Sequence, residues 1–300
     1  MTGLANPTLA ILLTGMLVGM AGALLGSFLV LRGNSMLADA ISHSILFGIA
    51  LAWLATGETS GAVQIAGAAL SGVLAVFLIE TLARSRRLRD DAAIGLVFPA
   101  LFSIGVVLIN VFAQDVHLDE HTVLLGEIGF VWLDTVTVAG LVVPRALLAS
   151  ATLLLVDGLF VLAFYNALKL ATFDPGLARA LGLAPGLVFY AHLSLLSGTA
   201  VAAFDAVGVV LFVTFVVVPP AAAYLLCRRL SSLIGVAMLI AVASAPLGYG
   251  AALWLDVSVG GAMALATAPF LVGAFIWRRW RDRRRYRSGQ PPAVSASSSA

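Results

Sequence analysis

Asp39 and His43 lie four residues apart within a stretch that is otherwise apolar enough to cross a membrane. Residues at positions i and i+4 of an α-helix share one face, so the carboxylate and the imidazole point the same way. A carboxylate in hydrocarbon is costly unless a partner charge, a water-filled path or a metal ion compensates it. Because imidazole and carboxylate are ligands of zinc, manganese and iron, the pair predicts a metal site. The alternative is a helix-cap carboxylate beside an imidazole that only packs.

Further candidate metal ligands lie in two other regions. Asp157 is in the middle of an apolar segment without a local partner, so it is expected to pair with another helix or to face a polar path. His117 and His121 enclose two carboxylates in a loop, and these are metal-ligand types as well. Such residues are also common in exposed loops that bind no metal, and that alternative stays open.

Glu80 and His192 have plainer interpretations. Glu80 precedes Arg84 by four residues near the end of an apolar segment, so the two side chains are expected to form an ion pair. His192 has apolar neighbours and is expected to be a hydrogen-bonded core residue.

A polar element in residues 172–183 interrupts the apolar pattern. Asp-Pro at its beginning is a strong helix start and Gly182 a plausible helix stop, which predicts one or two turns of amphipathic helix. A short helix that projects from a membrane protein can dock a partner; the alternative is a plain surface linker. The residues assigned to this docking element are Asp174, Pro175, Leu177, Ala178, Arg179 and Gly182.

The elements that must position these residues are membrane helices. Of the 300 residues, 61% are hydrophobic and 11% charged, the mean hydropathy is +1.06, and soluble domains carry about 25% charged residues. The fold class is therefore an all-α, polytopic transmembrane bundle of eight to nine spans in residues 1–280, followed by a disordered tail, 281–300. The predicted spans are about 8–31, 36–56, 61–83, 92–113, 147–168, 186–204, 207–227, 232–254 and 258–277. The run 122–143 is interrupted by charges and is expected to be re-entrant or interfacial.

The loop charges alternate in sign along the chain. Basic loops follow the first, third, fifth, seventh and ninth predicted spans, while the intervening loops are acidic, with Arg145 as the exception. The positive-inside rule then places the basic loops and the C-terminus in the cytoplasm of a multi-pass protein of the plasma or inner membrane. The basic residues are Arg32, Arg84, Arg86, Arg87, Arg89, Lys169, Arg179, Arg228, Arg229 and the Arg-rich tail.

Several stretches, in order along residues 10–277, resemble the ABC-type uptake permeases for zinc, manganese or iron. The likeness is carried by the run that leads into Asp39 and His43, by the Asp174–Gly182 element and by five further motifs. These stretches are 26–32 (GSFLVLR), 37–43 (LADAISH), 90–98 (DDAAIGLVF), 173–183 (FDPGLARALGL), 207–211 (VGVVL), 218–222 (VPPAA) and 256–262 (DVSVGGA).

The resemblance implies a fold like that of the type II ABC importer permeases and a homodimeric permease in membrane lipid. It also implies a separate ATP-binding cassette ATPase, an extracytoplasmic metal-binding protein that delivers the ion, and no nucleic-acid partner. Asp39 and His43 would line the translocation path, with both subunits contributing, and residues 174–182 would be the coupling helix seated in the ATPase. The divalent ion would be cargo, with no permanently bound cofactor.

Two other classes of function compete with this interpretation. A secondary transporter or cation channel would need its own coupling groups, such as Asp157 and Glu80, and would work without ATP. A membrane-embedded lipid enzyme would need a catalytic cluster, and no catalytic residue is assigned here. The phosphate-binding motif Gly-x-x-x-x-Gly-Lys-Ser/Thr does not occur in the sequence, so ATP hydrolysis is expected in a partner chain.

Overall fold

The computed structural model describes residues 6–57, 62–85, 87–112, 128–138 and 141–287. Within these ranges, nine candidate spans are long and apolar enough to cross a membrane, the last of them running from α11 into α12. The predicted all-α bundle of eight to nine spans is confirmed. The helices are α1 (Pro7–Leu31), α2 (Met36–Thr56), α3 (Ala62–Arg84), α4 (Asp90–Phe112), α5 (Arg145–Ala163), α6 (Tyr165–Phe173), α7 (Pro175–Ala180), α8 (Pro185–Val207), α9 (Val209–Leu226), α10 (Leu230–Leu255), α11 (Val259–Leu265) and α12 (Ala268–Arg287).

Local sequence signals explain where several helices begin and end. The Asn6 side chain accepts a hydrogen bond from the Thr8 amide at 3.1 Å, and Pro7 supplies the first helical residue of α1. The next helix, α2, ends at Gly57, whose φ of 71° is a left-handed conformation that suits glycine. The Gly57 signal fixes the C-terminal end of α2, the helix that carries the Asp39–His43 pair.

The connection between α4 and α5 is not a helix in its described part. It contains a 3₁₀ turn at Ile128–Phe130 and a hairpin of two antiparallel strands, β1 (Thr135–Val138) and β2 (Leu141–Pro144), with Val136 opposite Val143. Alternating threonine and valine favour a strand because β-branched side chains fit a pleated surface. The interrupted apolar run expected at 122–143 thus ends in a hairpin, while residues 113–127 lie outside the described ranges.

The helices pack in two groups that α8 joins. Helix α2 packs mainly against α3 and α4, whereas α1 packs mainly against α5, α9 and α10. Glycines allow the closest approaches: a Cβ at Gly48 of α2 would collide with the carbonyl of Gly67 in α3, and one at Gly26 of α1 with that of Val216 in α9. Backbones this close fix the position of each helix within its group.

Side chains or backbone of three other helices bond to α8. The His192 Nε2 lies 3.1 Å from the Leu25 carbonyl oxygen of α1. Ser197 donates to the Ala69 carbonyl of α3 at 3.0 Å, and Thr199 donates to a carboxylate of α5. Polar contacts inside an apolar bundle fix how helices meet, so α8 holds both groups in register.

The end of the chain differs from the sequence prediction. A disordered tail is expected from residue 281, but α12 continues to Arg287. Arginine is a good helix former, and Arg278 lies 4.0 Å from Asp282 one helical turn away, a spacing that supports a helix. Residues 288–300 lie outside the described ranges.

Candidate functional site

Asp39 and His43 meet on one face of α2, near its N-terminal end. Asp39 Oδ1 lies 3.5 Å from His43 Nε2, and the two side chains are 50% and 37% exposed, respectively. This separation is longer than the 2.7–3.2 Å typical of an N–H···O hydrogen bond. The pair is therefore brought together, as the spacing predicts, but the two groups form no close hydrogen bond with each other.

Two aromatic rings of α4 hold the imidazole of His43. The Phe98 ring stacks on it with centroids 5.5 Å apart, and the Phe102 ring meets it edge-on at 5.9 Å. Both aromatic residues were missed from the sequence, although their spacing of four residues on α4 signals a shared face. These contacts orient the imidazole ring, so a packing role for His43 is compatible with metal binding.

The pair lies within an open stripe on α2. Residues on this stripe recur every three or four positions and are exposed or half-buried, while most other residues between Met36 and Leu54 are buried. Within the described ranges α4 covers this face only in part: Phe98 and Phe102 contact His43, while the residues of the stripe stay exposed or half-buried. The stripe consists of Met36, Asp39, His43, Phe47, Leu51 and Leu54.

The described residues of one chain supply only part of a metal-ligand shell. The described residues contain no group of three or more His, Cys, Asp and Glu side chains that could hold a metal ion. Zinc sites use three or four protein ligands, so Asp39 and His43 alone would leave a bound ion incomplete. Among the described residues the arrangement therefore offers two ligands to a shared site.

Asp157 on α5 is placed differently. Its side chain is fully buried and accepts from the Thr199 hydroxyl, which lies 2.9 Å from Oδ1 and 3.2 Å from Oδ2. Of the two alternatives the sequence left open, the structure places it in a contact with another helix, α8. It belongs to no ligand group with Asp39 and His43 in the described part of the chain.

The remaining sequence candidates are found where their plainer interpretations put them. His192 is 1% exposed, bonds to the Leu25 carbonyl and meets the Phe28 ring edge-on, as expected of a core histidine. Glu80 and Arg84 form the expected ion pair at 2.9 Å. His117 and His121 lie outside the described residues.

The predicted helix after Asp174 is present as α7. The Asp174 carboxylate accepts from the Leu177 amide at 2.8 Å, and Gly182 ends the element with a φ of 80°. Ala178 is fully buried and anchors the helix, whereas Leu177 is 46% exposed. Leu181 is also exposed, and its spacing of four residues from Leu177 is a signal of a shared face that was not used in the prediction. Phe173, the exposed last residue of α6, precedes the Asp174 cap and was not assigned to the element either.

Comparisons with known proteins agree with this architecture. The ABC 3 transport family matches residues 6–278. The manganese transport system membrane protein MntD of Bacillus subtilis (strain 168) is 46% identical over 268 residues, covering 89% of this chain and 90% of the relative. The zinc transport system membrane protein TroD of Treponema pallidum (strain Nichols) is 41% identical over 257 residues, covering 86% and 70%.

A solved structure supports the same assignment. The complex of PsaBC from Streptococcus pneumoniae with a Fab superposes with a TM-score of 0.72 at 27% identity, covering 89% of this chain and 90% of the matched chain. This chain belongs to the ABC 3 transport family.

Proposed function

We propose that the chain is the membrane-spanning permease subunit of an ATP-driven importer of divalent transition-metal ions. Its family membership and its similarity to MntD and TroD favour manganese or zinc as the cargo, with iron as a further candidate. The observation that carries the proposal is the Asp39–His43 pair, half-exposed on a membrane helix, whose two groups lie 3.5 Å apart and belong to no larger ligand group among the described residues.

Asp39 and His43 would bind the ion during its passage. Carboxylate oxygen and imidazole nitrogen are ligands for manganese, iron and zinc. At 3.5 Å apart the two groups flank a common space, and Phe98 and Phe102 keep the imidazole from turning away. A metal binds neutral imidazole and ionised carboxylate, so binding would compete with protons.

A second copy of the chain would complete the site. The open stripe of α2 is the face on which two copies would meet, because a two-fold axis brings the same surface of each subunit together. Two ligands from each copy would make four, which is enough for a tetrahedral shell. Such a homodimer would account for a polar pair that stays 37–50% exposed on an otherwise well-packed helix.

The ATPase would dock at α7, on the cytoplasmic side, where the chain also ends. In support, Phe173, Leu177 and Leu181 are exposed apolar residues around a capped helix anchored through Ala178, with Arg179 beside them. An extracytoplasmic metal-binding protein would deliver the ion at the opposite face. ATP-driven closure and opening would then alternate access to the Asp39–His43 site.

Uptake of radioactive manganese, zinc and iron by cells that lack this chain tests the function. We expect loss of uptake of at least one ion, rescue by the wild-type chain, and no rescue when the partner ATPase carries an inactivated nucleotide site. Uptake that persists without the ATPase would instead identify a secondary transporter or channel. Unchanged uptake of all three ions in the deletion strain would exclude the proposed cargo.

A further inference from the structure

An open cavity of about 350 Å³ lies where the turn between α1 and α2 and the last residues of α3 meet the beginnings of α2, α4 and α8. Its polar lining comes from Arg32, Asn34, Glu80 and Arg84, and the rest of its wall is largely apolar, including Phe189. Neither Asp39 nor His43 lines it. Arg32 directly follows the first span and Arg84 ends the third, so the cavity lies at the boundary of the apolar segments.

The charges of the cavity do not balance. Arg84 is already paired with Glu80 at 2.9 Å. Arg32 forms no ion pair with any described residue, which leaves the lining with one uncompensated positive charge. Apart from its attraction to Glu80, which Arg84 already pairs, the Arg32 guanidinium has no anionic partner among the described residues.

The geometry of Arg32 prepares it for such a ligand. The guanidinium carbon lies 3.8 Å from the centre of the Phe189 ring, so the ring supports one face of the group. Its Nη1 is buried and has no hydrogen-bond partner among the described residues. A buried donor without an acceptor is unfavourable. Burial also lowers the pKa of Arg32, while the Glu80 carboxylate acts in the opposite direction.

We propose that this cavity binds the phosphate of an anionic phospholipid, with Arg32 as its principal donor. A planar guanidinium matches phosphate oxygens in a two-bond geometry, and Asn34 adds a neutral amide beside it. The single uncompensated charge equals that of a phosphodiester. The apolar wall suits the glycerol and upper acyl carbons, and the place at the membrane boundary is where a headgroup lies. This inference does not depend on which ion is carried.

Lipid retention by the full chain tests the site. The protein is placed in nanodiscs of equal parts phosphatidylglycerol and phosphatidylcholine, and the co-purifying lipid is quantified by mass spectrometry. We expect the wild type to retain phosphatidylglycerol over phosphatidylcholine by about tenfold, and Arg32→Gln to lose that preference. Arg89→Gln is the matched control, because its side chain is 91% exposed outside the cavity.

Other outcomes identify a different ligand or overturn the site. Equal retention of phosphatidylglycerol by Arg32→Gln and the wild type would overturn the proposal. Stabilisation by inorganic phosphate in nanodiscs of phosphatidylcholine alone, lost in Arg32→Gln, would assign the site to free phosphate rather than lipid. Unchanged lipid retention with loss of ATPase association would assign Arg32 to a protein contact. If Arg32→Gln does not fold, Arg32→Lys keeps the charge without the planar donor pair, and we expect it to lose most of the preference.

Discussion

Two aspartates in membrane helices of this chain have opposite environments. Asp39 on α2 is half-exposed, and its nearest described polar partner, His43, is 3.5 Å away. Asp157 on α5 is fully buried and receives a hydroxyl hydrogen bond from Thr199 at 2.9 Å. Sequence alone assigns both as candidate metal ligands, since each is an acidic residue in an apolar segment.

The difference separates a carboxylate that receives a hydrogen bond within its own chain from one whose described contact is an imidazole 3.5 Å away. A buried polar group paired within the fold contributes to how helices meet, whereas an unsaturated carboxylate beside an imidazole is free to bind a cation. The two histidines repeat the contrast: His192 is buried against Leu25 of α1, and His43 faces the open stripe. Burial and partners, more than residue type, distinguish a structural polar group from a ligand.

Replacing Asp39 and His43 together by alanine should have the largest effect on transport. Removing both ligands from each copy leaves the ion without its proposed shell, so we expect uptake to fall by about a hundredfold or more. The measurement is initial-rate uptake of the radioactive ion in cells, with membrane protein levels checked by blotting. Asp205→Ala, which removes an exposed carboxylate at the end of α8, is the control. Normal uptake by the double variant would show that Asp39, like Asp157, is not required as a ligand of the transported ion.

Thr199→Val should destabilise the protein without changing its affinity for the ion. The change leaves the buried carboxylate of Asp157 without its donor, and an unsatisfied buried group costs about 1–3 kcal/mol, more when it is charged. Denaturant unfolding of the purified protein measures the loss. Asp157→Asn with Thr199→Val should recover part of it, because the amide is neutral at every pH. Loss of metal binding at unchanged stability would instead make Asp157 a ligand.

Gly48→Ala should displace the helix that carries the open pair. The added methyl group meets the carbonyl of Gly67, so α2 and α3 must separate, at a cost of about 1–3 kcal/mol. We expect both the thermal unfolding temperature and the affinity for the metal ion to fall. Gly198→Ala is matched to it, since a Cβ at that helical position meets nothing within 4 Å. Equal stability of the two variants would show that α2 is not held by this contact.

Phe98→Leu should have the smallest effect. Loss of the stacked ring frees the imidazole of His43, and an aromatic pair contributes about 0.5–1.5 kcal/mol. We expect metal affinity to fall by about threefold, measured by titration of the purified protein, with little change in unfolding temperature. Phe130→Leu, at an exposed ring outside the site, provides the comparison. An effect as large as that of His43→Ala would mean that Phe98 positions more than one ligand.

Local geometry accounts for what the sequence could predict. The shared face of Asp39 and His43 follows from helix periodicity, and α7 follows from Asp174 and Gly182 as its start and stop. Thr199 could not be assigned as the partner of Asp157, because the two are 42 residues apart and meet only through the packing of α5 and α8.

Other features depend on contacts or chain extensions that no local pattern specifies. The aromatic support of His43 comes from α4, and the hairpin at Thr135–Pro144 replaces what hydropathy indicates only as an interrupted apolar run. The helical continuation to Arg287 reflects helix propensity, which a composition-based assignment of disorder ignores.

The position of α8 has a mechanical consequence. It begins five residues after α7 ends, and its three polar contacts reach Leu25 of α1, Ala69 of α3 and Asp157 of α5. A displacement of α7 would therefore pass through a short connection to α8, which is hydrogen-bonded to both helix groups. If α8 pivoted about its contact with α1, a small rotation would tilt α3. The close glycine contact between α3 and α2 would then shift α2 together with the Asp39–His43 pair.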